Sequence, residues 1–132
     1  LLTFSDVAGY VTHLHDFNAH EYAPKRKELG IFEKVIIPNN DKAVEYMRNY
    51  EANDLTDIVF IDHEQFPFCS EVNIYDNKVS YVTFSEDGHH VGLLIQNKEI
   101  YETQKSIFHM AWTFGKEKYK HLHHSFCPPE NT

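Results

Sequence analysis

A mixed sheet flanked by helices, an α/β (α+β) single domain, is the architecture this sequence predicts, and two observations carry it. Up to Ile61, apolar strand-like runs alternate with helical ones, the order in which crossover helices cover a sheet. From residue 66 to residue 112 the chain changes to a meander: a hairpin, one further strand, and an amphipathic helix that closes on the only tryptophan, Trp112. A chain of 132 residues suits one domain with a sizeable core. Residues 1–115 are expected to form that domain, and residues 116–132 a polar, histidine-rich tail.

The elements follow in order. Residues 1–4 read as a short buried strand. Ser5 or Asp6 can cap the next helix, which carries Val7, Tyr10, Val11, Leu14 and Phe17 at helical spacing. Pro24 interrupts that helix or starts a second one, because proline is tolerated only in a first turn. Gly30 supplies a left-handed stop. Val35-Ile36-Ile37 is a buried strand closed by Pro38-Asn39-Asn40, and Asn40 can cap a helix through Ala43, Val44 and Met47. Residues 57–61 form the next strand. Val72 and Ile74 alternate with polar neighbours, Asp76-Asn77 turns the chain, and residues 79–84 return. Glu86-Asp87-Gly88 is a second turn before the strand 91–95. Asn97 then caps a helix whose apolar set, Ile100, Ile107, Phe108, Ala111 and Trp112, is expected on one core-facing side, with Gly115 as its end.

Composition narrows the function. Hydrophobic residues at 42% and aromatics at 14% argue for a packed globular chain rather than a disordered one. A formal charge of −8 argues against holding a nucleic-acid backbone unaided. No apolar run approaches the ~20 residues of a membrane-spanning helix, and no signal peptide is visible, so a cytoplasmic protein without a membrane partner is expected. The chain opens without methionine inside an apolar segment, as a piece of a longer protein would. Cys69 and Cys127 stand far apart, and cysteine-poor chains of this size are usually reduced, so a half-buried structural thiol is expected at Cys69 rather than a disulfide.

Several residues could carry chemistry. Lys78 beside Asp76 could bind an anion, although Asp and Asn favour exposed turns for backbone reasons. The run Lys25-Arg26-Lys27 could contact an anionic ligand, although such runs are usually solvated helix faces. Ten histidines invite a metal reading. His13 and His15 are spaced for a strand rather than a helix, and His89 and His90 adjoin a turn. His121, His123 and His124 with Cys127 form the best zinc-like set, because imidazole and thiolate together suit that ion. Their segment has little apolar content to position ligands, so no metal and no cofactor is expected.

Specific strings bring in a family. Tyr22 with Lys25-Arg26-Lys27 leading into Gly30-Ile31, then Phe66-Pro67, then residues 71–79, then residues 92–112, follow one another in an order and spacing that resembles the effector domain of TrmB-type transcriptional regulators. That domain is itself phospholipase D-like. The resemblance runs from about Leu2 to Trp112 and is best with short regulators that pair a winged helix-turn-helix with one such domain. It implies a phospholipase D-like single domain that senses a small metabolite or sugar and dimerises. Ligand-binding residues are then sought at Lys78, Asp76, Arg26 and Tyr22. Where a phospholipase D-type domain carries H-x-K-x4-D, this chain keeps Lys78, has Asp76 at the histidine position and Thr83 at the aspartate position. Without its histidine nucleophile the site is not expected to turn over phosphodiesters. No helix-turn-helix precedes the domain in this sequence, and the sugar-binding extension of archaeal members finds no match.

The sequence thus points to a non-enzymatic ligand-sensing and dimerisation domain of a transcriptional regulator. A homodimer and a small-molecule effector are the expected partners, with DNA reached only through a helix-turn-helix domain absent from this chain. The dimer interface is expected on the strand at residues 1–4 or the helix at residues 5–17. A divergent phosphodiesterase or nuclease of the phospholipase D type is the alternative from another class, and a metal-binding module a third.

Overall fold

Three residues at the start of the chain organise the sheet. In the computed structural model, which describes residues 1–48 and 55–121, Leu2–Phe4 (β1) lies between a parallel neighbour, Glu33–Pro38 (β2), and an antiparallel one, Glu71–Tyr75 (β4). Beyond β2 comes Thr56–Ile61 (β3), again parallel. Beyond β4 come Lys78–Thr83 (β5) and Val91–Gln96 (β6), both antiparallel, giving the order β3-β2-β1-β4-β5-β6. The sheet is mixed, as expected; the alternating first half forms its parallel side and the meander its antiparallel side.

Helices cover both faces of the parallel side. Val7–Phe17 (α1), a π-helical turn at Asn18–Tyr22, Ala23–Glu28 (α2) and Asp41–Arg48 (α3) follow β1 and β2. Lys98–Lys118 (α4) crosses the opposite face. Register assigns every side chain to a face, because a strand's side chains alternate. Ile36, Val59, Ile61, Ile74 and Val79 point toward α4, where Phe108 and Trp112 meet them. Val35, Ile37, Ile58 and Phe60 point the other way, against Val7 of α1 and Ala43 of α3. Burial on both faces is why β2 and β3 read as unbroken apolar runs instead of alternating ones.

The local signals act as their chemistry dictates. The amide of Gly9 donates to Asp6 Oδ1 (3.1 Å), so Asp6 caps α1. Asn40 accepts from the Ala43 amide and Asn97 from the Ile100 amide, both at 2.9 Å. Pro24 opens α2, and Gly30 leaves it at φ 64°. Asp76 and Asn77 take φ values of 44° and 59°, the left-handed pair that a two-residue hairpin turn demands.

Four expectations require correction. The strand at residues 1–4 is no dimer edge, since it sits inside the sheet with both sides paired. Gly115 does not end α4: the helix runs on to Lys118, and Tyr119 beyond it is buried in the core, so the core reaches past the 115/116 boundary. Gly115 is instead buried where α4 presses closest to β3. Ile100 and Ile107 are not core residues but exposed ones on the outer side of α4. Cys69 is a free, exposed thiol: it follows Phe68, whose ring packs on Phe4, and alternation turns the next side chain outward. Cys127, with which no disulfide was expected, lies outside the described residues.

The approach at Gly115 yields a prediction. A Cβ there would stand 2.7 Å from Val59 Cγ1 and 3.1 Å from Ile61 Cγ2. Alanine normally improves a helix interior by about 1 kcal/mol over glycine. Here the overpacking, ~1–3 kcal/mol, outweighs that gain. Gly115→Ala is therefore expected to lower the melting temperature by several degrees, and a thermal melt that rises instead would show that α4 has room to move off β3.

Candidate functional site

Polar residues gather where an apolar layer would be expected, on the α1 side of β1. Alternation sends Leu2 and Phe4 toward α4, and therefore sends Thr3 and Ser5 to the other face. Across the ladder from Thr3 lies Asn73 on β4, and Phe4 faces Val72 beside Glu71. On β2, Glu33 occupies the same face as Val35 and Ile37. Two carboxylates, two hydroxyls and an amide thus meet over one three-residue strand.

Their hydrogen bonds are specific. Thr3 Oγ1 lies 2.8 Å from Glu33 Oε1 and 3.1 Å from Asn73 Oδ1, two acceptors around a group with a single proton to give. The hydroxyl can serve one of them at a time, unless Glu33 carries a proton of its own to give. Burial pushes the Glu33 carboxyl above the ordinary glutamate value, against the Thr3 hydroxyl, Arg26 and the N-terminal ammonium, which all pull it down. Glu71 Oε2 accepts from the Ser5 hydroxyl (3.1 Å) and from the Asp6 amide (2.8 Å) at the start of α1. Those bonds favour its anion, yet desolvation outweighs them and, helped by the negative charges of Glu33 and Asp6, lifts Glu71 to about 8. Glu71 nevertheless keeps part of its surface open to solvent.

Aromatic hydroxyls roof the cluster. Desolvation drives the phenols of Tyr10, on α1, and Tyr22, at the end of the π-helical turn, upward, Tyr22 to about 12. Glu33 and Glu71 act on both phenols in the same direction. Arg26, only 8% exposed, closes the far side. Its Nη1 donates to the carbonyls of Ile31 (3.0 Å) and Leu55 (3.1 Å), and its Nη2 to Thr56 Oγ1 (2.7 Å). Its Nε is buried without a hydrogen bond, 3.5 Å from Glu33 Oε2.

The four sequence-predicted ligand residues fare unequally. Tyr22 and Arg26 belong to this cluster. Arg26 is not part of a solvated face, for the charge run splits: Lys25 pairs with Glu28 in solvent (2.9 Å) while Arg26 turns inward. Lys78 stands on β5 with its Nζ 5.7 Å from the centre of the Tyr75 ring, on the same face, and Tyr75 is close enough to act electrostatically on Tyr22. Asp76 is exposed in the hairpin turn and outside the cluster. Thr83 lies five residues from Lys78 on one strand, hence on the opposite face, so the positions of the phospholipase D motif do not converge here.

Glu33, Glu71, Thr3, Ser5, Asn73 and Tyr10 were not singled out from the sequence. The available signal was polar residues at inward positions of strands otherwise covered on both sides. Among the described residues no group of three or more His, Cys, Asp or Glu could hold a metal ion. His123, His124 and Cys127 lie outside the described residues, while His121 sits beside Tyr119. His13 is on α1, the helix expected there, and its ring packs against His90 (4.6 Å) and Phe84 (5.7 Å). No helix among the described residues is long and apolar enough to cross a membrane.

Comparison with known proteins gives one informative likeness. No protein-family model matches the chain, and no curated protein does. The fold is similar to a solved structure of TrmBL2, described as an archaeal chromatin protein that shows a novel mode of DNA binding. The two share 15% identity at a TM-score of 0.51 over 85% of this chain, which spans 42% of that one. The likeness supports the mixed α+β fold with its six-stranded sheet.

The raised Glu71 acid makes stability pH-dependent in a defined direction. Its folded value, about 8, exceeds the ordinary 4.5, so its favourable contribution is fully present below 4.5 and is lost as pH rises through about 8. Glu71→Gln, which cannot ionise, should therefore be more stable than the parent at pH 8.5, by ~2 kcal/mol once its solvent contact is discounted. The advantage should shrink toward zero at pH 5. Thermal melts of both proteins across that range check it, and a pH-independent difference would place Glu71 in ordinary solvent.

Proposed function

We propose that this chain is the ligand-sensing and dimerisation domain of a TrmB-type transcriptional regulator, a degenerate phospholipase D-like domain without enzymatic activity. The observation that supports it most is the cluster of Glu33, Glu71 and Arg26 under Tyr10 and Tyr22. Two carboxylates held above their ordinary pKa are a standing cost to the fold, and a ligand that supplies hydrogen-bond donors would relieve it. A small polyhydroxylated or amine-bearing metabolite has that chemistry. Such a regulator works in the cytoplasm as a homodimer, needs no cofactor, and reaches DNA through a helix-turn-helix domain not contained in this sequence.

The likeness to TrmBL2 is in keeping with this reading, and so is the family resemblance of the strings from Tyr22 to Trp112. The alternative, a divergent phosphodiesterase or nuclease, needs a nucleophile and a cationic approach for a polyanion. Lys78 lies apart from Thr83 on the far face and from Asp76 in its exposed turn, and the chain carries −8 formal charges.

One set of measurements tests the proposal. In a thermal-shift screen of sugars, polyols and small amines at pH 6 and pH 8, one class should raise the melting temperature by several degrees through mass action. Glu33→Gln and Glu71→Gln should each abolish that shift. A chromogenic phosphodiester should remain intact, and turnover that vanishes in Lys78→Ala would sink the sensor assignment. A mobility-shift assay at physiological salt should show no binding of duplex DNA by the chain.

A further inference from the structure

Helix α4 has two apolar sides, and the core uses only one. Tyr101, Phe108, Trp112 and Tyr119 pack toward the sheet. Ile100, Ile107, Met110 and Phe114 point away from it, exposed to 41%, 42%, 67% and 43%. The intervals of seven, three and four residues put these four side chains in one stripe along the helix, the a/d spacing of a helix that packs on another helix. Thr103 fills the remaining place in the stripe. Scattered exposed leucines on a surface need no explanation, but a continuous stripe over four turns does.

The charges beside the stripe say what packs there. Between Thr103 and Gly115 the helix carries one formal charge, Lys105, and its Nζ leans 5.7 Å from the Tyr101 ring rather than toward the stripe. The ends of α4 differ in sign. Its start holds Glu99 and Glu102 against Lys98, whereas its end holds Lys116 and Lys118 against Glu117, with Lys120 just beyond it. Glu117 is already engaged by Lys120 at 3.6 Å. A helix that is uncharged in the middle, negative at one end and positive at the other is complementary to itself turned end for end. That arrangement also opposes the two helix dipoles favourably.

From this self-complementarity we infer that the outer face of α4 is the homodimer interface, formed by antiparallel packing of α4 on α4 of a second copy across a two-fold axis. This rests on the dimerisation part of the reading above and gives it a surface. The symmetry places Ile107 of one copy against Met110 of the other near the axis, and Thr103 against Phe114 outside them. Glu99 of each copy then approaches the lysine-bearing end of its partner. An isologous interface of this kind requires one patch that matches itself, which the stripe supplies. Phe66, from the loop after β3, packs edge-on against Phe114 with ring centres 5.8 Å apart and widens the patch at each end.

The test is the mass of the chain in solution, measured by light scattering with size exclusion at tens of micromolar. The parent should be a dimer. Ile107→Glu and Met110→Glu each bury charge at the axis and should weaken association on the order of 100-fold or more, giving monomers. Both positions are exposed in the single chain, so the melting curve of each variant at low concentration should match a similarly diluted parent. Leu94→Glu on β6, equally exposed but outside the stripe, should remain a dimer. As a second readout, Met110→Cys should form a disulfide-linked dimer within minutes under mild oxidation, while Leu94→Cys should not. A parent dimer that survives both glutamate variants, with no Met110→Cys crosslink, overturns the α4 interface and leaves dimerisation through another surface standing. A parent that stays monomeric overturns both, and leaves the ligand-sensing test at Glu33 and Glu71 untouched.

Discussion

Much of this fold depends on a strand of three residues that bonds to both halves of the sheet. β1 is parallel to β2 on one side and antiparallel to β4 on the other, with Leu2 opposite Lys34 and Ile74, and Phe4 opposite Ile36 and Val72. Remove it and the parallel β2–β3 pair loses its link to the β4–β5–β6 meander. Such a short strand holds its position because both its faces are engaged. Phe4 meets Phe68 and Phe108 edge-on at 5.4 and 5.2 Å, while Thr3 and Ser5 are bonded to carboxylates from β2 and β4. A register slip of one residue would present Phe4 to those carboxylates and Thr3 to Phe108.

That arrangement explains why carboxylates are tolerated in the sheet and also why they are uncomfortable there. Glu71 sits at the start of α1, takes the Asp6 amide and the Ser5 hydroxyl, and so has the partners that usually depress a carboxylate. Burial wins nonetheless, with Glu33 and Asp6 adding to it. Arg26 and the N-terminal ammonium are cations that act on Glu33, but the two Nη groups of Arg26 are committed to the carbonyls of Ile31 and Leu55 and to Thr56, leaving its Nε at 3.5 Å as the link. The guanidinium thus fastens α2 to the start of β3, with only its Nε turned to Glu33. A region built only for stability would carry apolar residues of similar volume at these positions.

How much of this was legible differs by element. The strands were readable because β2 and β3 are buried on both faces, and the caps Asp6, Asn40 and Asn97 because an Asx side chain before an apolar run has one local role. The left-handed turn at Asp76-Asn77 was equally local. The cluster was not legible, because Glu33 and Glu71 look like ordinary strand-edge carboxylates until the pairing of β1 with both β2 and β4 brings them over Thr3 and Ser5. Arg26 was legible only through the family resemblance: its neighbours Lys25 and Lys27 suggest a solvated face, whereas its side chain reaches the Leu55 carbonyl. For α4, periodicity assigned Ile100 and Ile107 to the core side, although they lie about 100° of helical rotation from Phe108. A helix with two apolar sides defeats a reading that allows it one. Gly115 was taken for a stop because glycine commonly ends helices, whereas here the lack of a side chain lets α4 approach Val59.

The two surfaces proposed for function lie on opposite faces of one sheet, and the same strand connects them. Thr3 belongs to the carboxylate cluster, and its neighbour Phe4 packs on Phe108 of α4. In a strand paired on both sides, Thr3 cannot shift along the chain without carrying Phe4 with it. The Phe108 ring in turn stacks on Trp112 at 5.7 Å, one residue from Ile107 and two from Met110. A ligand that changed the protonation of Glu33 would alter which acceptor Thr3 serves, and any movement of Thr3 would reach the rings inside α4 through two packed contacts. Close packing transmits such displacements instead of absorbing them. Coupling along this route makes dimer affinity depend on ligand and, by linkage, changes ligand affinity by the same factor on dimerisation.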